Sequence, residues 1–258
     1  MKTQFSFTRF WWLFKKHTAE HFRYYLMSAA VLMGIMTLFL GFLIISESEP
    51  MNAQKQTFVF VILLLLTGPI FTSTIFSHLG DKKKAIATLT LPASHFEKYL
   101  VAWLYSYLLF QVVYIGSFYL VASILLPLDN WKGQELEMMR LFSKEDGQLF
   151  ALNGYFLLHA MTFLGSIFFE KWHFIKTAFI FFTLGLALVI LNKPILQAIT
   201  GRELEDAFPF STITFQEAGE YFFVQFPHGN DFLMTMALVG TTLFLWAGAY
   251  FKLKEKEV

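Results

Sequence analysis

The stretch Tyr99-Leu-Val-Ala-Trp-Leu-Tyr-Ser-Tyr-Leu-Leu-Phe-Gln-Val-Val-Tyr-Ile-Gly-Ser-Phe-Tyr-Leu-Val-Ala-Ser-Ile-Leu-Leu-Pro-Leu128 decides the fold. It contains no Asp, Glu, Lys or Arg. A bilayer core about 30 Å thick needs about 20 apolar helical residues, and this run exceeds that. Closed β-barrels are the only other spanning structure, and their strands are short and alternate in polarity. Phe118 to Leu126 is instead almost continuously apolar. The stretch reads as a membrane-spanning helix.

Five similar stretches surround it. The charge-free runs place spans at about 24–46, 57–78, 99–126, 149–169, 173–192 and 232–251. In the fifth, Trp172 and Phe174 extend a short run and Lys176 reaches to the interface. The composition agrees: 56% of residues are hydrophobic, 15% are charged, and Phe alone supplies 33. An ordinary soluble domain is about 25% charged. Disorder is excluded by the hydrophobicity. The absence of Cys excludes disulfides, thiolate metal sites and thiol nucleophiles.

The connections alternate in charge. One side carries Lys2, Arg9, Lys15, Lys16 and Arg23, then Lys82, Lys83, Lys84 and Lys98, and later Lys171, Lys176 and the lysines of the tail. The other side is poor in Lys and Arg and holds 13 of the 19 acidic residues. By the positive-inside rule the basic side is cytoplasmic. The fold expected is an all-α integral membrane protein of six transmembrane helices, with an N-terminal interfacial helix and both termini cytoplasmic. No small-residue cleavage pattern follows the first run, so no cleaved signal peptide is expected.

Segments outside the spans carry the functional signals. Residues about 5–22 read as an interfacial helix, with Phe7, Phe10, Trp11, Phe14 and Thr18 on one face and Arg9, Lys16, Glu20 and Arg23 opposite. In the 79–97 segment, Gly80 is expected to end the second span and Asp81 to cap a short helix. That helix carries Lys82, Lys83 and Lys84 and turns Ala85, Ile86 and Leu89 to one side. Pro92 stops it, and Ser94-x-x-Glu97 is a capping-box pattern that opens the third span. This element is either a structural turn or a docking element for a cytoplasmic partner. On the other side, a short helix is expected around Glu135–Phe142. Residues about 194–228, punctuated by Pro194, Pro209 and Pro227, read as re-entrant half-helices.

Little chemistry is legible. No Gly-Lys dipeptide exists, so the chain has no Walker A loop of its own. His17 and His21 stand four apart and in principle share a metal, but such a pair is more often solvated, and no metal is expected. No carboxylate lies inside a span, which argues against proton-coupled transport. Gln111, Asn153 and His159 are the polar groups within spans. Each either bonds a neighbouring helix or lines a translocation path.

This layout resembles the membrane subunit of an ABC-2-type ABC transporter. The stretch Ser73-x-x-Phe76-x-x-Leu79, followed by Lys83, Leu89, Leu91-Pro92-Ala93-Ser94 and Glu97-Lys98, is similar to a pattern in compact ABC-2-like permeases of Bacteroidetes-type bacteria. The resemblance implies a bacterial inner-membrane permease, more often an exporter. It implies a second permease chain, identical or not, and a separate cytoplasmic ATPase that binds the ATP and Mg. This chain would bind no cofactor, do no covalent chemistry and have no nucleic-acid partner. Residues 81–91 would be the coupling helix seated on the ATPase, and the N-terminal helix the elbow. The alternatives are a non-transporting membrane scaffold or sensor, and an intramembrane enzyme using His159 and His173.

Overall fold

A computed structural model of the protein describes residues 4–80, 82–141, 148–209, 212–217, 220–224 and 230–256. The chain is mainly helical: α1 (Phe7–Ser46), α2 (Ala53–Thr74), α3 (Lys82–Leu89), α4 (His95–Trp103), α5 (Phe110–Leu125), α6 (Gln148–Phe168), α7 (His173–Thr200) and α8 (Asn230–Glu255). Strands β1 (Leu204–Ala207), β2 (Ile213–Glu217) and β3 (Glu220–Val224) lie between α7 and α8. Five helices are long and apolar enough to cross a membrane: Phe7–Ser46, Ala53–Thr74, His95–Leu128, His173–Thr200 and Leu233–Glu255. The apolar part of α6 among the described residues, Gly154–Phe168, is shorter. These are the features of a multi-pass helical membrane protein.

The chain divides into two compact units, one of Met1–Phe174 with Thr242–Val258 and one of Ile175–Thr241. In the first, α2 packs along α6 and α1 packs against α4 and α5. One core cluster holds Met36, Leu40, Phe60, Tyr114, Phe118 and Tyr155. A second holds Phe10, Phe76, Tyr99, Tyr105, Phe163 and Leu253. The α2–α6 approach depends on Gly68. A Cβ there would lie 2.2 Å from Cε2 of the fully buried Tyr155.

Several expectations are corrected. The separate interfacial helix over about 5–22 is absent, because α1 runs unbroken for 40 residues. No Gly or Pro interrupts residues 7–33, so nothing in the sequence stops the helix. At 1.5 Å per residue it is about 60 Å long, roughly twice the bilayer core. Span two ends at Thr74 rather than at 78, and a 3₁₀ turn, Ser77–Gly80, follows.

Span three is not uniform. Between α4 and α5, Leu104–Leu109 winds as a π-helix. Tyr99, Ala102 and Tyr105 belong to the second cluster, whereas Phe110, Tyr114 and Phe118 belong to the first. The wide turn therefore sits where one helix changes the core it serves.

The second unit also departs from expectation, since it is not all-α. Instead of re-entrant half-helices, α7 continues through Pro194 to Thr200 and a three-stranded antiparallel sheet follows in the order β1-β2-β3. Gly201, at φ 65°, takes the left-handed conformation that ends α7. Asn192 Nδ2 donates to the Ala207 carbonyl at 2.7 Å and Lys193 Nζ to the Glu205 carbonyl at 3.0 Å. The last turns of α7 thus hold β1. Phe215 and Phe222 stack across β2 and β3, with the Arg202 guanidinium 4.8 Å from the Phe215 ring.

At the acidic end of the first unit, the helix expected around Glu135–Phe142 does not form over 135–141. Gln56 explains this. Its amide is fully buried, and Nε2 donates to the carbonyls of Met51 and Glu137, each at 2.7 Å. Its Oε1 accepts from the Met139 N–H at 2.9 Å. Backbone groups that a helix would use are thus taken by one side chain. Tyr119 Oη also donates to the Met139 carbonyl, and Trp131 Nε1 donates to Leu126.

Replacing Gln56 by Leu keeps the volume but orphans two buried backbone groups, at Met51 and Met139, each costing about 1–3 kcal/mol, and a part-buried one at Glu137. The expected outcome is a clearly lower melting temperature in detergent, with exchange protection lost first around residues 137–139. A melting temperature equal to wild type would contradict the clasp.

Candidate functional site

The basic end of the first unit gathers the charged residues flagged in the sequence. It is built on α4. Ser94 caps this helix, its hydroxyl accepting from the Glu97 N–H at 3.1 Å while Glu97 accepts from the Ser94 N–H at 2.8 Å. This is the expected capping box. The Glu97 side chain is fully buried and also accepts from the Ser6 N–H at 2.7 Å and from Arg9 Nη2 at 3.0 Å. One carboxylate therefore ties the start of α1 to the start of α4. Burial pushes the Glu97 carboxyl up, but the Arg9 and backbone hydrogen bonds and the Arg9 charge outweigh it, holding it below the usual carboxylate range. Glu97 precedes the charge-free run that begins at Tyr99.

The aromatic face of α1 divides. Phe10 is buried in the second cluster, and Phe14 packs on Tyr105 with centroids 5.1 Å apart. Thr18 Oγ1 hydrogen-bonds the Tyr105 hydroxyl. Trp11 and Trp12 remain exposed, with Lys15 Nζ 5.4 Å from each ring centroid. The face expected to lie in the headgroup layer as a unit is thus partly spent on the protein core.

The 79–97 segment folds as expected in outline, as a short helix followed by a capped one. Helix α3 is short and ends where Thr90 N–H donates to Ile86. Its apolar side is corrected: Ala85 is buried, whereas Ile86 is 45% exposed, so the two do not share an inward face. Lys83 is exposed. Asp81 and the side chains of Lys82, Lys84 and Leu89 lie outside the described residues. Gly80 sets how closely this segment approaches the end of α6, since a Cβ there would meet the Glu170 carbonyl oxygen at 2.0 Å.

Beside this segment, a cavity of about 260 Å³ is lined by Lys16, His17, Glu20, His21, Thr88 and Lys98. Leu13, Phe76, Leu91 and Val101 form part of its apolar wall. The His17 and His21 rings stack at 4.4 Å, and His17 Nε2 hydrogen-bonds the Tyr25 hydroxyl at 2.6 Å. The spacing of His17 and His21 singles them out in the sequence, whereas Lys16 and Lys98, and Arg9 and Glu97, are brought together only by the tertiary fold.

The polar groups within spans are dispersed. His159 is fully buried, with Nε2 3.0 Å from Ser106 Oγ and Nδ1 accepting from Trp246 Nε1 at 3.2 Å. Both ring nitrogens are occupied in holding α6 to the π-helical segment and to α8. Gln111 hydrogen-bonds Tyr107 one turn away. The Asn153 side chain lies outside the described residues. Among the described side chains, His159 and Gln111 each bond a partner within the protein. Comparison with protein-family models, with curated proteins and with solved structures finds no match for this chain.

The Glu97 clamp gives a directional prediction. Because its folded carboxyl is held low, its stabilising contribution is fully present above the ordinary carboxylate value of about 4.3. It is lost as pH falls through the lower folded value. Glu97→Ala should free the chain at residues 4–9, at a cost of about 2 kcal/mol or more from the orphaned amides. The exchange protection factor at the Ser6 amide should then be near unity at every pH, whereas in wild type it falls only as acid protonates the carboxyl. Protection equal to wild type would refute the clamp.

Proposed function

We propose that the chain is the permease subunit of an ATP-driven ABC-2-type transporter, coupled to a separate cytoplasmic ATPase. In this reading the six apolar helices all cross the membrane, the basic end faces the cytoplasm and a second permease chain completes the pathway. The observation that carries the reading is α3: a short helix with exposed Ile86 and Lys83, set between the end of α2 and the capped start of α4. The 3₁₀ turn that leads into it passes close to the backbone just beyond α6, where a Cβ on Gly80 would meet the Glu170 carbonyl. An exposed apolar residue on a basic helix is a docking knob. The firm seating of its neighbours lets a push on the knob reach the long helices. Residues 81–91 serve as the coupling helix, and the sequence pattern of 73–98 supports the same reading. Hydrolysis and the bound ATP and Mg belong to the partner. The substrate is an unidentified molecule, and export is the favoured direction.

The test is affinity purification of the tagged chain from its native membranes. An ATP-binding protein should co-purify with wild type and be lost with Ile86→Asp, while membrane insertion stays intact. Replacing Asp81–Ala85 with a Gly/Ser linker should have the same effect. Absence of any ATPase from the wild-type sample, or its full retention by both variants, would overturn the proposal.

A further inference from the structure

The cavity beside α3 has a composition that the coupling reading does not use. Its polar lining brings two lysines and two histidines together with a single carboxylate, Glu20. Lys98 is only 8% exposed. Glu20 lies 3.7 Å from Lys16, but both side chains are about half exposed, so the pair is weak and readily opened. The remaining wall is apolar. A cationic lining beside apolar walls fits an amphiphile with an anionic head.

Position in the chain points the same way. On α1 the lining residues, 13 to 21, lie just before the charge-free run that begins at Tyr24, and on α4 Lys98 and Val101 lie on either side of Tyr99. Exposed Trp11 and Trp12 lie on the same segment of α1. Lysines placed just outside an apolar run carry their charge into the headgroup layer. The cavity is also smaller than the roughly 300–1,000 Å³ clefts that engulf a drug-sized molecule. It suits a headgroup whose chains stay outside.

We propose that this cavity binds the phosphate headgroup of an anionic phospholipid, with Lys16 and Lys98 supplying the charge and His21 a further hydrogen bond. Glu20 opposes the phosphate and so limits the affinity. A bound lipid bridges α1 to the segment leading into α4 and adds to the Glu97 clamp. The site does not depend on an ATPase partner.

The test uses the full chain in phosphatidylcholine nanodiscs, titrated with dioctanoyl phosphatidic acid, with thermal unfolding as the readout. Dioctanoyl phosphatidylcholine and inorganic phosphate are the two comparison arms. Phosphatidic acid should raise the unfolding temperature saturably, and neither comparison ligand should match it. Removing one lysine should weaken the apparent affinity about fivefold. Lys16→Gln tests this at an exposed position, and Lys98→Met tests it at the buried one. Glu20→Gln should tighten binding, a gain that a purely structural role for Glu20 does not give. The proposal is overturned if phosphatidylcholine or free phosphate gives the same shift, or if Lys16→Gln and Glu20→Gln both leave the affinity unchanged.

Discussion

The buried carboxylate of Glu97 is the interaction on which the basic end of the first unit depends. It closes the cap of α4, receives the Ser6 amide and pairs with Arg9. None of these contacts is strong alone, but they converge on one group removed from water. Burying a carboxylate is costly unless its oxygens are fully engaged. The cost of leaving it partly bonded fixes where α1 can start relative to α4. Phe10 and Phe14 then pack into the second cluster, and Thr18 reaches the Tyr105 hydroxyl.

The same constraint recurs through the unit. Where apolar helices surround a polar group, the group must find its partner within the protein. Gln56 does so at the acidic end by bonding three backbone groups of the adjoining connection. His159 does so midway along α6 by bonding Ser106 and Trp246. Each polar side chain links segments distant in sequence, and each fixes a helix end or a helix rotation. Apolar packing alone, being non-directional, would leave those rotations poorly defined.

How much of this was legible in the sequence follows from the kind of signal involved. Charge-free runs report directly on burial in lipid, and the helices lie where those runs predicted. The capping box and the short α3 were also readable, because Ser94, Glu97 and Pro92 act on neighbouring residues. The continuity of α1 was missed because a change from basic-aromatic to apolar composition looks like a boundary, although only Gly, Pro or a competing cap would make one. The sheet over 204–224 was missed because Pro194, Pro209 and Pro227 suggested broken helices, whereas β1 is held by Asn192 and Lys193 of α7 and by pairing with β2. In the candidate site, the histidines drew notice by their spacing. Lys98 and Arg9 did not, since their roles arise from residues about 80–90 positions away.

The π-helical turn at Leu104–Leu109 has a mechanical consequence. On an α-helix each residue advances the azimuth by about 100°. The wide turn offsets the phase between α4 and α5, so that Tyr105 and Phe110 each face their own cluster. The third long helix is therefore two phase-shifted halves, each fitted to its own cluster. Rewinding the wide turn as regular α-helix would turn one half away from its cluster and break the contact between Ser106 and His159.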